Sequence, residues 1–192
     1  SGISYKYLGE YLDIHCGGVD NKFPHHTNEI AQSESFFGHK WCNYWFHVEH
    51  LNLKNMKMSK SSGNFITLNK LEEMGYNPKI YKLFCLQSHY KNTLVFSEEA
   101  LSSTKRAYDK LIKKIASLSK ENNEINNNKV EEYQNKFKEY IGNDLNTASA
   151  ISLIYDLLKD KINDDTKLYL INDVDKVLGL DLITNKKEDN SK

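Results

Sequence analysis

Arginine is almost missing from this sequence. Arg106 is the only one in 192 residues, so planar two-pronged clamps on phosphate are nearly excluded and lysine must do any phosphate work. Net charge is missing as well. The 26 basic residues balance 26 acidic ones, which argues against a protein that holds nucleic acid by overall charge. Cysteine is scarce and odd in number: Cys16, Cys42 and Cys85 form no evident disulfide framework. With no signal peptide in view, that suggests a reducing, cytoplasmic setting. No apolar run approaches the roughly 20 residues of a membrane span, so no membrane association is expected. Histidine is missing from the second half, because all seven lie at positions 15, 25, 26, 39, 47, 50 and 89. A polar site near the front is therefore expected. The chain also starts at Ser1 without methionine, and we expect a fragment.

What remains is ordinary for a globular protein: 39% hydrophobic, 27% charged, with length for one good core or two small ones. The densest stretch is His15-Cys-Gly-Gly-Val-Asp20 followed by Asn21-Lys-Phe-Pro-His25-His-Thr-Asn-Glu29. Tyr11–His15 reads as a strand running into a glycine turn at Gly17 and Gly18, where the backbone can bend or approach a ligand. Pro24 suits the first helical position, the pattern stays helical to Phe37, and Gly38 suits the stop. His25 and Glu29, four apart, share a helix face, with His26 pointing elsewhere. An imidazole and a carboxylate so spaced can hold two positions on one zinc ion, although such a pair is more often a solvated face.

Trp41 to Leu53 reads as one strand, its aromatic load suggesting that both faces are covered. Lys57-Met-Ser-Lys60-Ser-Ser-Gly63-Asn64 is a loop by composition. Two lysines three apart, with hydroxyls between, can grip a polyphosphate, or simply form a solvated basic loop. Thr67 caps a short helix over 68–74. Pro78 opens another, to about Ser88, and 89–96 is extended. From Ser97 the pattern is a long amphipathic helix carrying Leu101, Thr104, Tyr108, Leu111, Ile115 and Leu118. A polar loop over 120–128 leads to a second helix marked by Val130, Phe137 and Ile141. Asn146 and Thr147 cap a third, and Asp164 or Asp165 a fourth that Gly179 stops. The fold class is thus α/β followed by all-α: an α/β piece over 1–68, a connecting helical segment over 69–96, an antiparallel helix bundle over 97–182 and a polar tail over 183–192.

Taken together, these stretches resemble the cysteinyl-tRNA synthetase family of class I aminoacyl-tRNA synthetases. Asp13-Ile-His-Cys-Gly-Gly-Val-Asp20 resembles its D-I-H-G-G-G-x-D, and Phe23-Pro-His-His-Thr-Asn-Glu29 its F-P-H-H-E-N-E. Lys57–Ser61 is the class I signature K-M-S-K-S. Gly142-Asn-Asp-Leu-Asn-Thr147 resembles the D-D-x-N-T element of the helical anticodon-side domain. The motifs run in family order from about Tyr11 to Leu180. Cys16 in place of glycine, Thr27 in place of glutamate and Ser62 in place of leucine depart from the pattern.

The resemblance implies the second half of a Rossmann-like nucleotide-binding domain joined to the bundle. It implies ATP-dependent activation of L-cysteine and its transfer to tRNA(Cys), with Mg2+ accompanying ATP, by an enzyme expected to be a monomer. Lys60 and Lys57 would be catalytic at the phosphates, with Ser59 beside them. Asp20, Gly17 and Gly18 would line the ATP and adenylate site, and His15 the amino-acid pocket. His25 and Glu29 would be two of four Zn2+ ligands. The other two are cysteines upstream in the family, one of them just before the position matching Ser1. The zinc would take the substrate thiolate and so select cysteine over serine. The family's His-Ile-Gly-His motif is not in this chain, so the isolated 192 residues are expected to be inactive. A related ligase that passes cysteine to an aminosugar shares the front motifs. A non-catalytic helical module that binds RNA or protein is the reading from another class.

Overall fold

The computed structural model describes residues 1–53 and 67–183. The signature loop with Lys57, Ser59 and Lys60, and nearly all of the polar tail, lie outside the described residues. Two compact units emerge: Ser1–Asn52 with Tyr90–Val95, and Leu53–His89 with Phe96–Lys192. The first is mixed α/β and the second is helical. The segment set apart as a connector thus contributes helices to the second unit and a short extended stretch to the first.

In the first unit, helix α1 (Gly2–Leu8) precedes strand β1 (Leu12–Gly18). A 3₁₀ turn over Val19–Lys22 leads into helix α2 (His25–Phe37), then strand β2 (Cys42–Val48). β1 and β2 pair in parallel, His15 opposite Trp45 and Gly17 opposite His47. A parallel pair needs a crossover, and α2 supplies it. Gly38, left-handed at φ 75°, ends α2 as its composition suggests. Pro24 is the N-cap rather than the first helical residue.

Three local readings change. α1 has no counterpart in the sequence reading; it is only seven residues long, and its Tyr5 ring sits on Phe36 and Phe37 of α2. The glycine turn is not a turn, because Gly17 and Gly18 continue the strand opposite His47 and Val48. The strand expected over 41–53 breaks at Glu49 and His50, and strand β3 is only Leu51–Leu53. The break follows from a change of partner. Glu49 N donates to Tyr90 O (2.9 Å) and Leu94 N to His50 O (3.1 Å), so the chain leaves β1 and meets 90–94 instead. β3 pairs with β4 (Leu94–Phe96). Nor are both sheet faces covered among the described residues: Ile14 and its register partner Tyr44 are 60% and 71% exposed.

The second unit holds α3 (Leu68–Glu73), α4 (Pro78–Leu86), α5 (Glu98–Ala116), α6 (Asn127–Gly142), α7 (Thr147–Lys159) and α8 (Asp164–Leu178). Each has a side-chain N-cap: Thr67, Asn77, Ser97, Asn126, Asn146 and Asn163 accept from the first turn. For α8 the cap is Asn163, not the aspartates that follow it. The apolar stripe of α5 is buried as read, from Leu101 to Ile115, although the helix stops before Leu118. Leu170, Ile171, Val174 and Leu178 of α8, with Ile151, Ile154 and Leu158 of α7, form much of the core.

The polar loop before α6 is not free. Asp165, beside the start of α8, accepts from the backbone N–H of Asn123 (2.8 Å) and of Glu121 (3.3 Å). Thr166 Oγ1 accepts from Asn126 N (3.0 Å). That explains why Asp165 and Thr166 are buried at a helix start. The Asn123 and Glu121 amides hold the Asp165 carboxyl below the usual carboxylate range. Its contribution to stability is therefore present above the unfolded aspartate value and is lost as pH falls through the lower folded value. Asp165→Asn should lower the urea midpoint clearly at about pH 6 and much less at about pH 3. An equal loss at both pH values would show that the charge is not what holds the loop.

Candidate metal and substrate site

Period-two geometry builds this site. His15 and Gly17 face one side of β1, and their register partners Trp45 and His47 face the same side of β2. α2 crosses over that side. On α2, positions 26, 29 and 33 follow helical spacing, and His26 and Ser33 are its buried residues. The sheet therefore offers two histidines and a tryptophan, and the helix answers with a histidine and a glutamate.

The contacts are close. His15 Nε2 lies 2.8 Å from Glu29 Oε2, tying the middle of β1 to α2. His26 Nδ1 lies 2.9 Å from His47 Nε2. Two imidazoles can share such a bond only if one brings the N–H and the other a lone pair. The His15 ring stands edge-on to Trp45 at 4.8 Å between centroids, and His26 lies 4.9 Å from the same indole. Burial, with His15 and His47 close by, pushes the His26 pKa below the ordinary imidazole value. Glu29 also has Ser1 near it: the Ser1 nitrogen is 3.4 Å from Oε1.

The sequence-derived residues divide accordingly. Glu29 and His15 are brought together. Gly17 lies in the same place; a Cβ there would come within 2.6 Å of His26 Cε1 and 2.9 Å of Nε2. His25 is exposed and stands outside the group, while His26 turns inward, opposite to the direction assigned it from sequence. The reason is that i,i+3 spacing joins His26 to Glu29 as effectively as i,i+4 joins His25 to it, and the sheet lies on the His26 side. Gly18 has the side chain of Asp20 beside it, with Asn21 Nδ2 at the edge of contact. Asp20 is exposed in the 3₁₀ turn, with Oδ1 3.9 Å from His50 Nε2. Cys16 is exposed on the opposite sheet face, so its side chain adds nothing to the cluster.

Among the described residues, His15, His26 and Glu29 form one group whose ligand atoms all lie within 4.8 Å of one another. Two nitrogen donors and a carboxylate suit a zinc ion chemically. His26 and His47 were missed as members of the site. The alternation of 15 with 17 and of 45 with 47 was the signal that could have found His47.

Gly17 and Gly18 should part company on substitution. Gly17→Ala drives a methyl into the buried His26 ring, which has backbone and indole around it, and should cost about 1–3 kcal/mol. Gly18→Ala crowds the exposed, flexible end of Asp20 and touches Asn21 Nδ2 at an ordinary 3.9 Å, and should cost much less. Thermal midpoints of the two variants check this, with the His26 and His47 ring resonances displaced in Gly17→Ala alone. Equal midpoints would show that the ring does not need the gap.

Comparison with known proteins follows the same outline. Among the helices described, none is long and apolar enough to cross a membrane. The chain is 42% identical over 190 residues to the cysteine–tRNA ligase of Brachyspira hyodysenteriae, an alignment that takes in 92% of this chain and 40% of that protein. It therefore spans well under half the length of this relative. Its fold is similar to that of the LeuRS of Agrobacterium radiobacter K84, known from a crystal structure of its ternary complex with tRNA and LeuAMS. The TM-score is 0.58 at 15% identity, over 88% of this chain and 26% of that one; at that identity the likeness is one of fold alone. A family model described as the tRNA synthetases class I (C) catalytic domain matches residues 1–106. Since that match takes in more than half of the chain, this protein belongs to the class I (C) tRNA synthetase family.

Proposed function

We propose that this chain is part of a cysteine–tRNA ligase, an enzyme that activates L-cysteine with ATP and transfers it to tRNA(Cys). The observation that carries the reading is the 42% identity to such a ligase along 92% of the chain. The α/β unit is then the second half of a Rossmann-like domain, and α5 to α8 belong to an antiparallel bundle on the tRNA side. The exposed register pair Ile14 and Tyr44 supports this, since parallel sheets are normally covered on both faces. We place the enzyme in the cytoplasm, as a monomer.

The group that gathers His15, His26 and Glu29 suits a zinc ion in its donor chemistry, and of its members Glu29 alone is a ligand by the family resemblance. Zinc bound there would hold the substrate thiolate and favour it over a hydroxyl. Glu29 is the ligand we assign first. The family resemblance pairs it with His25, one turn away on α2, while His15 orients its carboxylate by a 2.8 Å contact. The family resemblance, not this chain, supplies the cysteine directly ahead of Ser1 that would join the set. His26 is held by His47 and packs under the site. In the intact protein His25→Ala should lose zinc and cysteine-over-serine selectivity, and His26→Ala should keep more of both. Metal analysis checks this, and the reverse order would give the ligand place to His26.

Lys57, Ser59 and Lys60 carry the ATP chemistry in this reading. The cysteine carboxylate attacks the α-phosphorus, negative charge grows on the departing pyrophosphate with its Mg2+, and Lys60 stabilises it there. Asp20, Gly17 and Gly18 border the adenylate. Any contact of the bundle with tRNA comes from a local stripe such as Lys105, Arg106, Lys110, Lys113 and Lys114 on α5, because the chain has no net charge to offer.

The decisive experiment is tRNA charging and cysteine-dependent ATP–pyrophosphate exchange by the intact protein. Charging of tRNA(Cys) is expected; transfer to an aminosugar instead would overturn the assignment. The isolated 192 residues should show no exchange. Lys60→Ala in the intact enzyme should lower kcat of activation by about 10²–10³ with a smaller change in ATP binding, and Lys57→Ala should be milder. A near-normal kcat for Lys60→Ala would mean that the loop only holds substrate.

A further inference from the structure

The stretch Gly142-Asn-Asp-Leu-Asn-Thr147 has no part in the site above, yet its backbone is tightly constrained. Two successive non-glycine residues, Asp144 and Leu145, are left-handed, at φ 53° and 56°. Leucine in that region is strained, and such strain persists only where the surroundings over-determine it. Asn143 N returns to Glu139 O, Leu145 N to Ile141 O, and Asn146 N to Tyr140 O (3.1 Å), so the turn closes the end of α6. Asn146 Oδ1 accepts from Ser149 N (3.1 Å) and opens α7.

Two further bonds leave the turn for α4. Thr147 Oγ1 donates to Leu86 O at 2.7 Å. Leu86 is the last residue of α4, whose final carbonyls have no donor within the helix. His89, three residues on, lies with Nε2 2.8 Å from the backbone oxygen of Asp144. A carbonyl can only accept, so Nε2 carries the hydrogen; the Asp144 carboxylate stands 3.8 Å from the same nitrogen. The two bonds run in opposite senses: one side chain from the turn to α4, one from the chain beyond α4 to the turn.

We propose that residues 143–147 are a latch that clamps the C-terminal end of α4 to the N-terminal end of α7, so that the two helices move as one body. Thr147 and His89 are its closures, and the left-handed pair Asp144–Leu145 aims the Asp144 carbonyl at His89. This gives residues 143–147 a mechanical task inside the second unit. His89 is also the last residue of that unit before the chain passes to the other, so the latch fixes the point of departure.

The test is backbone amide hydrogen exchange on the full 192-residue chain. Thr147→Val keeps the shape but removes the hydroxyl. It should speed exchange at 87–90, nearly sixty residues away in sequence, by about tenfold or more. His89→Ala should do the same at 144–147. Amides in the middle of α5 and α8 should keep their rates in both variants, and Thr147→Ser, which keeps the hydroxyl, should restore slow exchange at 87–90. The two single variants read the coupling from opposite ends, so one that folds poorly leaves the other decisive. Faster exchange confined to the segment that carries the substitution would overturn the latch. So would a uniform rise across all helices, or no rescue by serine.

Discussion

The contact between His15 and Glu29 is the constraint on which the first unit depends. It joins the middle of a strand to the second turn of the helix that crosses over it, 14 residues later. Once α2 is fixed in that rotation, His26 has one place to go: into the gap left by the missing side chain of Gly17, against His47. The glycine then has to stay in the strand, because a turn there would move the gap. One carboxylate–imidazole contact thus sets the rotation of α2, the need for a glycine and the gathering of three donor groups. None of these groups is a strong contributor by itself, and their value lies in their satisfying one another in a partly buried place where lone polar groups would be costly.

The second unit rests on a different principle. Its helices have ordinary apolar stripes, but their ends are set by short polar side chains. Asparagine caps four of the six helices, and carboxylates at the two ends of α8 reach out to backbone amides. Asp165 holds the loop before α6, and Asp175 accepts from Leu180 N (2.7 Å) and Leu182 N (2.9 Å). That second clasp buries Leu180 and Leu182, and Tyr108 donates its hydroxyl to Leu180 O (2.8 Å). The asparagines at these positions are the punctuation of the unit.

Much of this was legible before any coordinates. Helix stripes, the caps at Thr67, Ser97 and Asn146, and the glycine stops at Gly38 and Gly179 depend on neighbours in sequence, and sequence carries them. What was not legible depends on partners far along the chain. The face of α2 that turns inward is chosen by the sheet, not by the helix, so His25 and His26 could not be separated from spacing alone. Gly17 and Gly18 look like a turn in one dimension; only a ring arriving from residue 26 gives Gly17 another purpose. The strand over 41–53 carries no internal sign of its break, which is made by residues 90–94. Asn163 loses to the aspartates after it as a candidate cap unless one sees that Asp165 is already engaged with Asn123.

The central claim is that Glu29, the structural pivot of the first unit, is also a ligand of the zinc ion proposed above. Zinc K-edge X-ray absorption on the intact protein, wild type beside Glu29→Gln, tests it most directly. The account predicts an oxygen or nitrogen scatterer at about 2.0–2.2 Å in the wild type that is lost or lengthened in Glu29→Gln. An unchanged zinc shell in a folded Glu29→Gln protein would contradict it.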